Sequence, residues 1–143
     1  MNMLAKAISI AAQAHEGQVD KSGKAYILHP LHLMNQLLWD EELAIIAVLH
    51  DVVEDSDWTI MELAGEGFSF RVTEALGCLT HYDHDSYEQY ISIVCTNQDA
   101  IIVKRKDLEH NSDITRLKGL RPKDLVRIEK YHKAFIKLGE ARV

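Results

Sequence analysis

Leu43-Ala44-Ile45-Ile46-Ala47-Val48-Leu49-His50-Asp51-Val52-Val53-Glu54-Asp55 is apolar nearly all the way round and then carries His-Asp-x-x-Glu-Asp at its end. A segment apolar on every face reads as a buried helix. An imidazole and carboxylates at the end of such a helix are costly to bury without partners. Two resolutions are open, ion pairing among the side chains or a shared metal ion. Asp40 is the expected N-cap, with Glu41 and Glu42 in the first turn, where the helix dipole favours carboxylates. On one continuous helix His50 and Asp51 lean toward a common point beside the axis, and Glu54 and Asp55 follow a turn later on the same general face.

Outward from this stretch the pattern is helical throughout. Leu4, Ile8, Ala11, Ala12 and His15 recur at helical spacing and define an amphipathic first helix. Gly17 to Lys24 is a polar loop with Gly17 and Gly23 as breakers. Pro30 is placed to open a second helix, whose buried face is Leu31, Met34, Leu37 and Leu38. Thr59 with Glu62, and Ser86 with Gln89, have capping-box spacing and start two further helices. Phe70 to about Thr80 is another. Asn97 caps a helix carrying Ile101, Ile102 and Val103 and then Lys104, Asp107, His110 and Asn111. Pro122 opens the last helix, with Leu125, Ile128, Tyr131, His132 and Phe135 on one face and Gly139 as its stop. No repeat, low-complexity tract, strand pattern or domain boundary is visible. The expected fold is all-α, one domain over residues 1–143.

Composition bounds the function. A domain of 143 residues buries about 70% of the surface its unfolded chain exposes, so it needs no staple. Cys78 and Cys95 lack CxxC spacing and read as buried, reduced thiols. No apolar run is long enough to span a membrane, and no signal-peptide pattern is present, so a cytoplasmic protein without membrane partners is expected. The net charge of −6 disfavours nucleic-acid binding. It also means that a phosphate substrate requires a local source of positive charge.

His50 and Asp51 supply one imidazole nitrogen and one carboxylate oxygen, half of a mixed site suited to Mn, Fe or Zn. His29, set just before Pro30, is a further candidate; bonding to local backbone is its plainer reading. Asp107 follows an apolar helix face, with Asn111 one turn on; an ion pair with Lys104, Arg105 or Lys106 is its plainer reading. Together the four make a His, His, Asp, Asp set from separate helices, with positions left for water and substrate.

In that order, His29, His50-Asp51 and Asp107 resemble the H…HD…D signature of the HD phosphohydrolase superfamily. The likeness is closer to the hydrolase domain of RelA/SpoT homologues, including the small stand-alone (p)ppGpp hydrolases. It is carried by Ala14-His15-Glu16-Gly17-Gln18, by Lys21-Ser22-Gly23-Lys24-Ala25-Tyr26-Ile27-Leu28-His29-Pro30, by Leu49 to Thr59, by Tyr87 to Ile91, and by Lys104-x-x-Asp107-x-x-His110-Asn111. The resemblance implies an all-helical HD fold, a bound Mn²⁺ and removal of pyrophosphate from the 3′ position of guanosine tetra- or pentaphosphate. It implies His29, His50, Asp51 and Asp107 as metal ligands, and Glu54 and Asp55 as the acidic pair that orients or deprotonates water. It also implies Lys21, Tyr26, Lys104 and Asn111 near the nucleotide. No synthetase domain fits after Asn111, and oligomeric state is left open.

Three departures bear on substrate choice. Asp20 stands where these hydrolases usually carry Arg, and a carboxylate there repels phosphate. Ser112-Asp113-Ile114 replaces a Met/Leu-Arg-Thr run, with Thr115 one residue late. Arg105 and Lys106 replace small apolar residues. The expected function is a metal-dependent phosphohydrolase acting on (p)ppGpp-like nucleotides. The alternatives are a nucleotidase or phosphomonoesterase on another nucleotide, and a nucleotide-binding module of low turnover. His110 reads as a surface or packed histidine, with support of the metal site as its other reading. His81 to Asp85 reads as a solvated loop, Lys104-Arg105-Lys106 as a solvated face, and Trp58 as packing of the turn after the site.

Overall fold

The computed structural model describes residues 2–143. Its helices are α1 (Met3–Ala14), α2 (Leu28–Gln36), α3 (Glu41–Leu49), α4 (Val52–Asp55), α5 (Ile60–Gly65), α6 (Phe70–Leu79), α7 (Tyr87–Val94), α8 (Gln98–Asn111) and α9 (Pro122–Glu140), with a 3₁₀ turn at Ile114–Arg116. Among the described residues there is no strand, only an isolated bridge between Val19 and Ala25. The all-α expectation holds. No helix is long and apolar enough to cross a membrane.

α3 is the hub. Every residue from Leu43 to Leu49 is buried, and α1, α2, α6 and α8 pack around it. The Asp40 side chain caps it by accepting from the Leu43 amide at 3.2 Å. Both expected capping boxes form, at Thr59 with Glu62 and at Ser86 with Gln89. Arg71 of α6 bonds Asp40 and Asp99 at 2.9 Å each and so ties the start of α3 to α6 and α8.

The helix that begins at Glu41 does not continue to Asp55. It ends at Leu49, and α4 restarts at Val52. The His50 amide bonds the Ala47 carbonyl at 3.4 Å, and the His50 ring Nδ1 donates to that same carbonyl at 2.7 Å. Two donors on one carbonyl three residues back pull the chain out of α register. Asp51 sits at φ −105°, ψ 0°, in the sparsely allowed bridge region where active-site residues often lie. Beyond the break Glu54 and Asp55 lie on α4, with Glu54 still within electrostatic reach of His50 and Asp51, and Asp55 within reach of Tyr26.

Other boundaries also differ. α2 starts at Leu28, which makes Pro30 its third residue; a missing N–H costs nothing within the first turn. The buried face of α2 is His29, Pro30, Leu33 and Met34, with Leu37 just past its end, while Leu38 is exposed. α1 buries Ala7, Ile10 and Ala11 rather than Ala12. α9 buries Asp124, Ala134 and Leu138 and leaves Leu125 and His132 outside. Gly139 lies inside α9, where a Cβ would come within 3.2 Å of Arg105 Nη2; it makes room rather than ending the helix. Cys78 and Cys95 are half-buried free thiols.

Candidate metal centre and substrate pocket

α2 brings His29, the end of α3 brings His50, and α8 brings Asp107, all buried. Their ligand atoms lie within 4.8 Å of one another. His50 donates through Nδ1 to Ala47, which leaves the Nε2 lone pair free. That Nε2 is buried without a hydrogen-bond partner. Asp51 Oδ2 at 3.0 Å and Asp107 Oδ1 at 3.5 Å are near it in charge but do not make aligned hydrogen bonds. His29 places Nε2 2.8 Å from Asp107 Oδ1 and Nδ1 2.7 Å from His110 Nδ1. Two imidazole nitrogens and a carboxylate facing one point, one nitrogen orphaned, fit a divalent cation of the Mn, Fe or Zn kind.

Asp51 borders this group through His50 rather than joining its closest set, and its carboxylate accepts a short hydrogen bond from the Tyr26 hydroxyl. Burial raises the Tyr26 pKa, and the Asp51 charge adds to that, so Tyr26 stays a donor. Burial alone would raise the Asp51 carboxyl, but His50 and Tyr26 hold it down at about 2. Burial would likewise push the His50 proton off; the Asp51 and Asp107 carboxylates outweigh it and raise the His50 pKa well above its usual value. Without a cation, the two carboxylates thus favour the protonated form of His50.

Lys104 does not reach the cavity. Its ammonium lies 2.7 Å from Asp107 Oδ2 and 5.1 Å from the Tyr90 ring centre. Burial pushes against its charge, but Asp107 holds the Lys104 pKa well above normal. Asn111 also donates to Asp107, at 3.0 Å. Asp107, despite burial, is held well below the usual carboxylate range by Lys104 and the two histidines. The solvated-face reading of 104–106 fails here. Lys104 is inward, and Arg105 stacks 4.2 Å from the Phe135 ring centre.

Glu54 and Asp55 on α4 have different hydrogen-bond partners. Glu54 accepts from the His81 amide, and burial raises its pKa. Asp55 accepts from Gln18 at 3.1 Å, and Gln18 in turn meets buried His15 at 2.9 Å. His81 stacks on Tyr90 at 4.6 Å and bonds the Asp85 carbonyl at 2.8 Å, while Tyr82, Asp83 and His84 between them are exposed as a solvated loop. His110 also proves to be part of the site. It stacks on His32 at 3.9 Å and meets His29 at the nitrogen opposite Asp107.

A cavity of about 290 Å³ adjoins the centre, with Tyr26 and Asn111 on its inner wall and Lys21, Arg116, Arg127 and Tyr131 farther out. The local positive charge required by an acidic chain is found here. Asp20 does not confront the cavity with a free carboxylate. Its Oδ1 accepts from Ser22 N at 2.9 Å, Ser22 Oγ at 2.8 Å and Lys24 N at 3.0 Å, and its Oδ2 faces Arg116 Nη2 at 3.7 Å. His110 was legible as the residue one turn from Asp107. Arg116, Arg127 and Tyr131 carry no local signal, because the 3₁₀ turn and α9 bring them in from outside the matching blocks.

No family model matches the chain. It is 32% identical over 135 residues, 85% of its length, to a guanosine-3′,5′-bis(diphosphate) 3′-pyrophosphohydrolase of Haemophilus influenzae, covering 20% of that protein. It is 29% identical over 139 residues to the bifunctional (p)ppGpp synthase/hydrolase SpoT of Escherichia coli, covering 87% of this chain and 19% of SpoT. Over most of its length the chain is thus similar to one segment of proteins named for (p)ppGpp hydrolysis. It spans about a fifth of the length of these relatives. A protein of Myxococcus xanthus named GTP pyrophosphokinase is 30% identical over 128 residues, 78% of this chain and 17% of that one. Among solved structures, one described as a metazoan ortholog of SpoT that hydrolyzes ppGpp superposes with a TM-score of 0.78 at 19% identity, over 100% of this chain and 89% of that one. That likeness shows that the two chains share a fold.

Proposed function

We propose that this chain is a divalent-metal-dependent hydrolase that removes pyrophosphate from the 3′ position of guanosine polyphosphates in the cytoplasm. The observation that carries the reading is the orphaned His50 Nε2, buried beside His29 Nε2 and Asp107 and next to a cavity with a cationic rim. Imidazole-rich sites hold transition ions that activate water, whereas phosphoryl transfer from nucleoside triphosphates uses Mg²⁺ held by carboxylates and phosphates. The former suits hydrolysis, although relatives bear names for both hydrolysis and synthesis.

His29, His50 and Asp107, with Asp51 completing the set, would hold the ion, and Mn²⁺ is the ion we assign. When bound, a divalent cation supplies Lewis acidity toward the phosphoryl group and its leaving oxygen. Tyr26 holds Asp51 in place by donating to it. Lys104 and Asn111 do the same for Asp107. Glu54, whose raised pKa brings it toward neutrality, accepts the proton of the attacking water. Asp55, fixed by Gln18, orients that water. The products are GDP and pyrophosphate when guanosine 3′,5′-bis(diphosphate) is the substrate. The test is incubation of that nucleotide with Mn²⁺ and the protein. Release of pyrophosphate supports the reading, and its absence, or orthophosphate release from mononucleotides alone, overturns it.

A further inference from the structure

We propose that Arg116 is a substrate-positioning residue whose guanidinium takes a phosphate of the nucleoside polyphosphate, and that Asp20 is the anion which that phosphate displaces. The proposal rests on the functional reading above. Asp20, in the loop after α1, and Arg116, at the end of the 3₁₀ turn after α8, both line the cavity and face each other there. The 3₁₀ turn at Ile114–Arg116 folds the chain back, with Asp113 capping it through the Thr115 amide at 3.0 Å. Arg116 Nη1 then donates to the His110 carbonyl at 2.8 Å and lies 3.4 Å from Asn111 Oδ1. One edge of the guanidinium is thereby fixed to the end of α8, beside residues that touch the metal centre. The other terminal nitrogen, Nη2, is 3.7 Å from Asp20 Oδ2, too far for a hydrogen bond, and both residues line the cavity.

This is a prepared but unfilled donor edge. A planar guanidinium with one side anchored loses little freedom on binding and matches the geometry of a phosphate. Asp20 cannot close the gap, because its Oδ1 is committed to Ser22 and Lys24 within its own turn. It holds Arg116 by charge alone and competes with an incoming anion. Lys21 and Arg127 line the same cavity as Arg116, with Asp113 as well as Asp20 on the acidic side and Arg127 paired with buried Asp124 at 2.7 Å. The pair also weights selection by charge, since a ligand must bring enough negative charge to outcompete Asp20. Nucleoside polyphosphates do so better than monophosphates.

The test is steady-state kinetics with guanosine 3′,5′-bis(diphosphate) and Mn²⁺. Loss of a charge-assisted hydrogen bond in Arg116→Ala raises KM by about 10- to 100-fold, with a smaller change in kcat. Asp20→Asn keeps an oxygen that can cap Ser22 and Lys24 but removes the competing charge; KM falls by about 2- to 5-fold. In the Arg116→Ala background the Asp20→Asn gain disappears, because the two side chains act on each other. A merely structural role for the pair predicts the opposite sign for Asp20→Asn, with a lower melting temperature. An unchanged KM in Arg116→Ala, or a raised KM in Asp20→Asn, overturns the proposal. If the wild-type protein releases no pyrophosphate, the functional reading fails first. Calorimetric binding of GDP then decides the Arg116 contact: weaker binding in Arg116→Ala upholds it, and equal binding overturns it.

Discussion

Replacing His110 with alanine should weaken divalent metal binding although His110 touches no metal. His29 and His110 meet Nδ1 to Nδ1 at 2.7 Å, so one nitrogen must carry the proton and the other must accept it. A cation at His29 Nε2 requires that His29 be the donor. His110 is suited to accept. Burial lowers its pKa, and Arg116, His29 and His32 lower it further, to about 4, so it is neutral at physiological pH with a lone pair on Nδ1. Stacking on His32 at 3.9 Å fixes the ring. Removing such a partner of a metal-bound imidazole typically costs about 10- to 100-fold in metal affinity. At ~1.4 kcal/mol per decade that is about 1.4–2.7 kcal/mol. The assay is Mn²⁺ titration against a competing chromophoric chelator. His110→Asn, whose carbonyl can accept at nearly the same place, should recover much of the affinity. Unchanged Mn²⁺ affinity in His110→Ala would refute the argument, as would equal losses in the Ala and Asn variants.

Four further outcomes are expected. Because His50 has a raised pKa in the metal-free protein, a cation must displace its proton; Mn²⁺ affinity should rise with pH until the His50 value is passed, with proton release measurable by calorimetry in buffers of different ionisation enthalpy. The same shift has the opposite consequence for metal-free stability: the contribution is fully present below the unfolded value near 6.5 and is lost as pH rises through the folded value, which denaturant melts with chelator present will show. Burial raises Glu54, so the acid limb of kcat/KM should lie above the ordinary glutamate range, and Glu54→Gln should lower kcat by about 10²- to 10⁴-fold and flatten that limb; a limb that persists in the variant assigns it to another group. Ile46→Ala, at a fully buried position of α3, should cost about 2–5 kcal/mol, seen as a lower urea midpoint at unchanged slope.

By itself the sequence determined the class and most of the elements. Helical spacing, the capping pairs at Thr59 and Ser86, and the uniformly apolar Leu43 to Leu49 are local signals, and local signals survive folding. It also offered His29, His50 and Asp107 as candidates, and the resemblance to the H…HD…D signature, rather than helical spacing, is what set them together. Tertiary structure decided how they are used. The break at His50–Asp51 arises from a ring nitrogen competing for the Ala47 carbonyl, and it sets Glu54 and Asp55 on different neighbours, His81 and Gln18. Lys104 reads as a surface lysine until α8 is turned against the core, where Asp107 offsets the cost of burying it. The meeting of Asp20 with Arg116 joins positions nearly a hundred residues apart across a 3₁₀ turn. No periodicity records such a contact, because it depends on the distance between two loops that only the packing of α2 and α8 around α3 brings together.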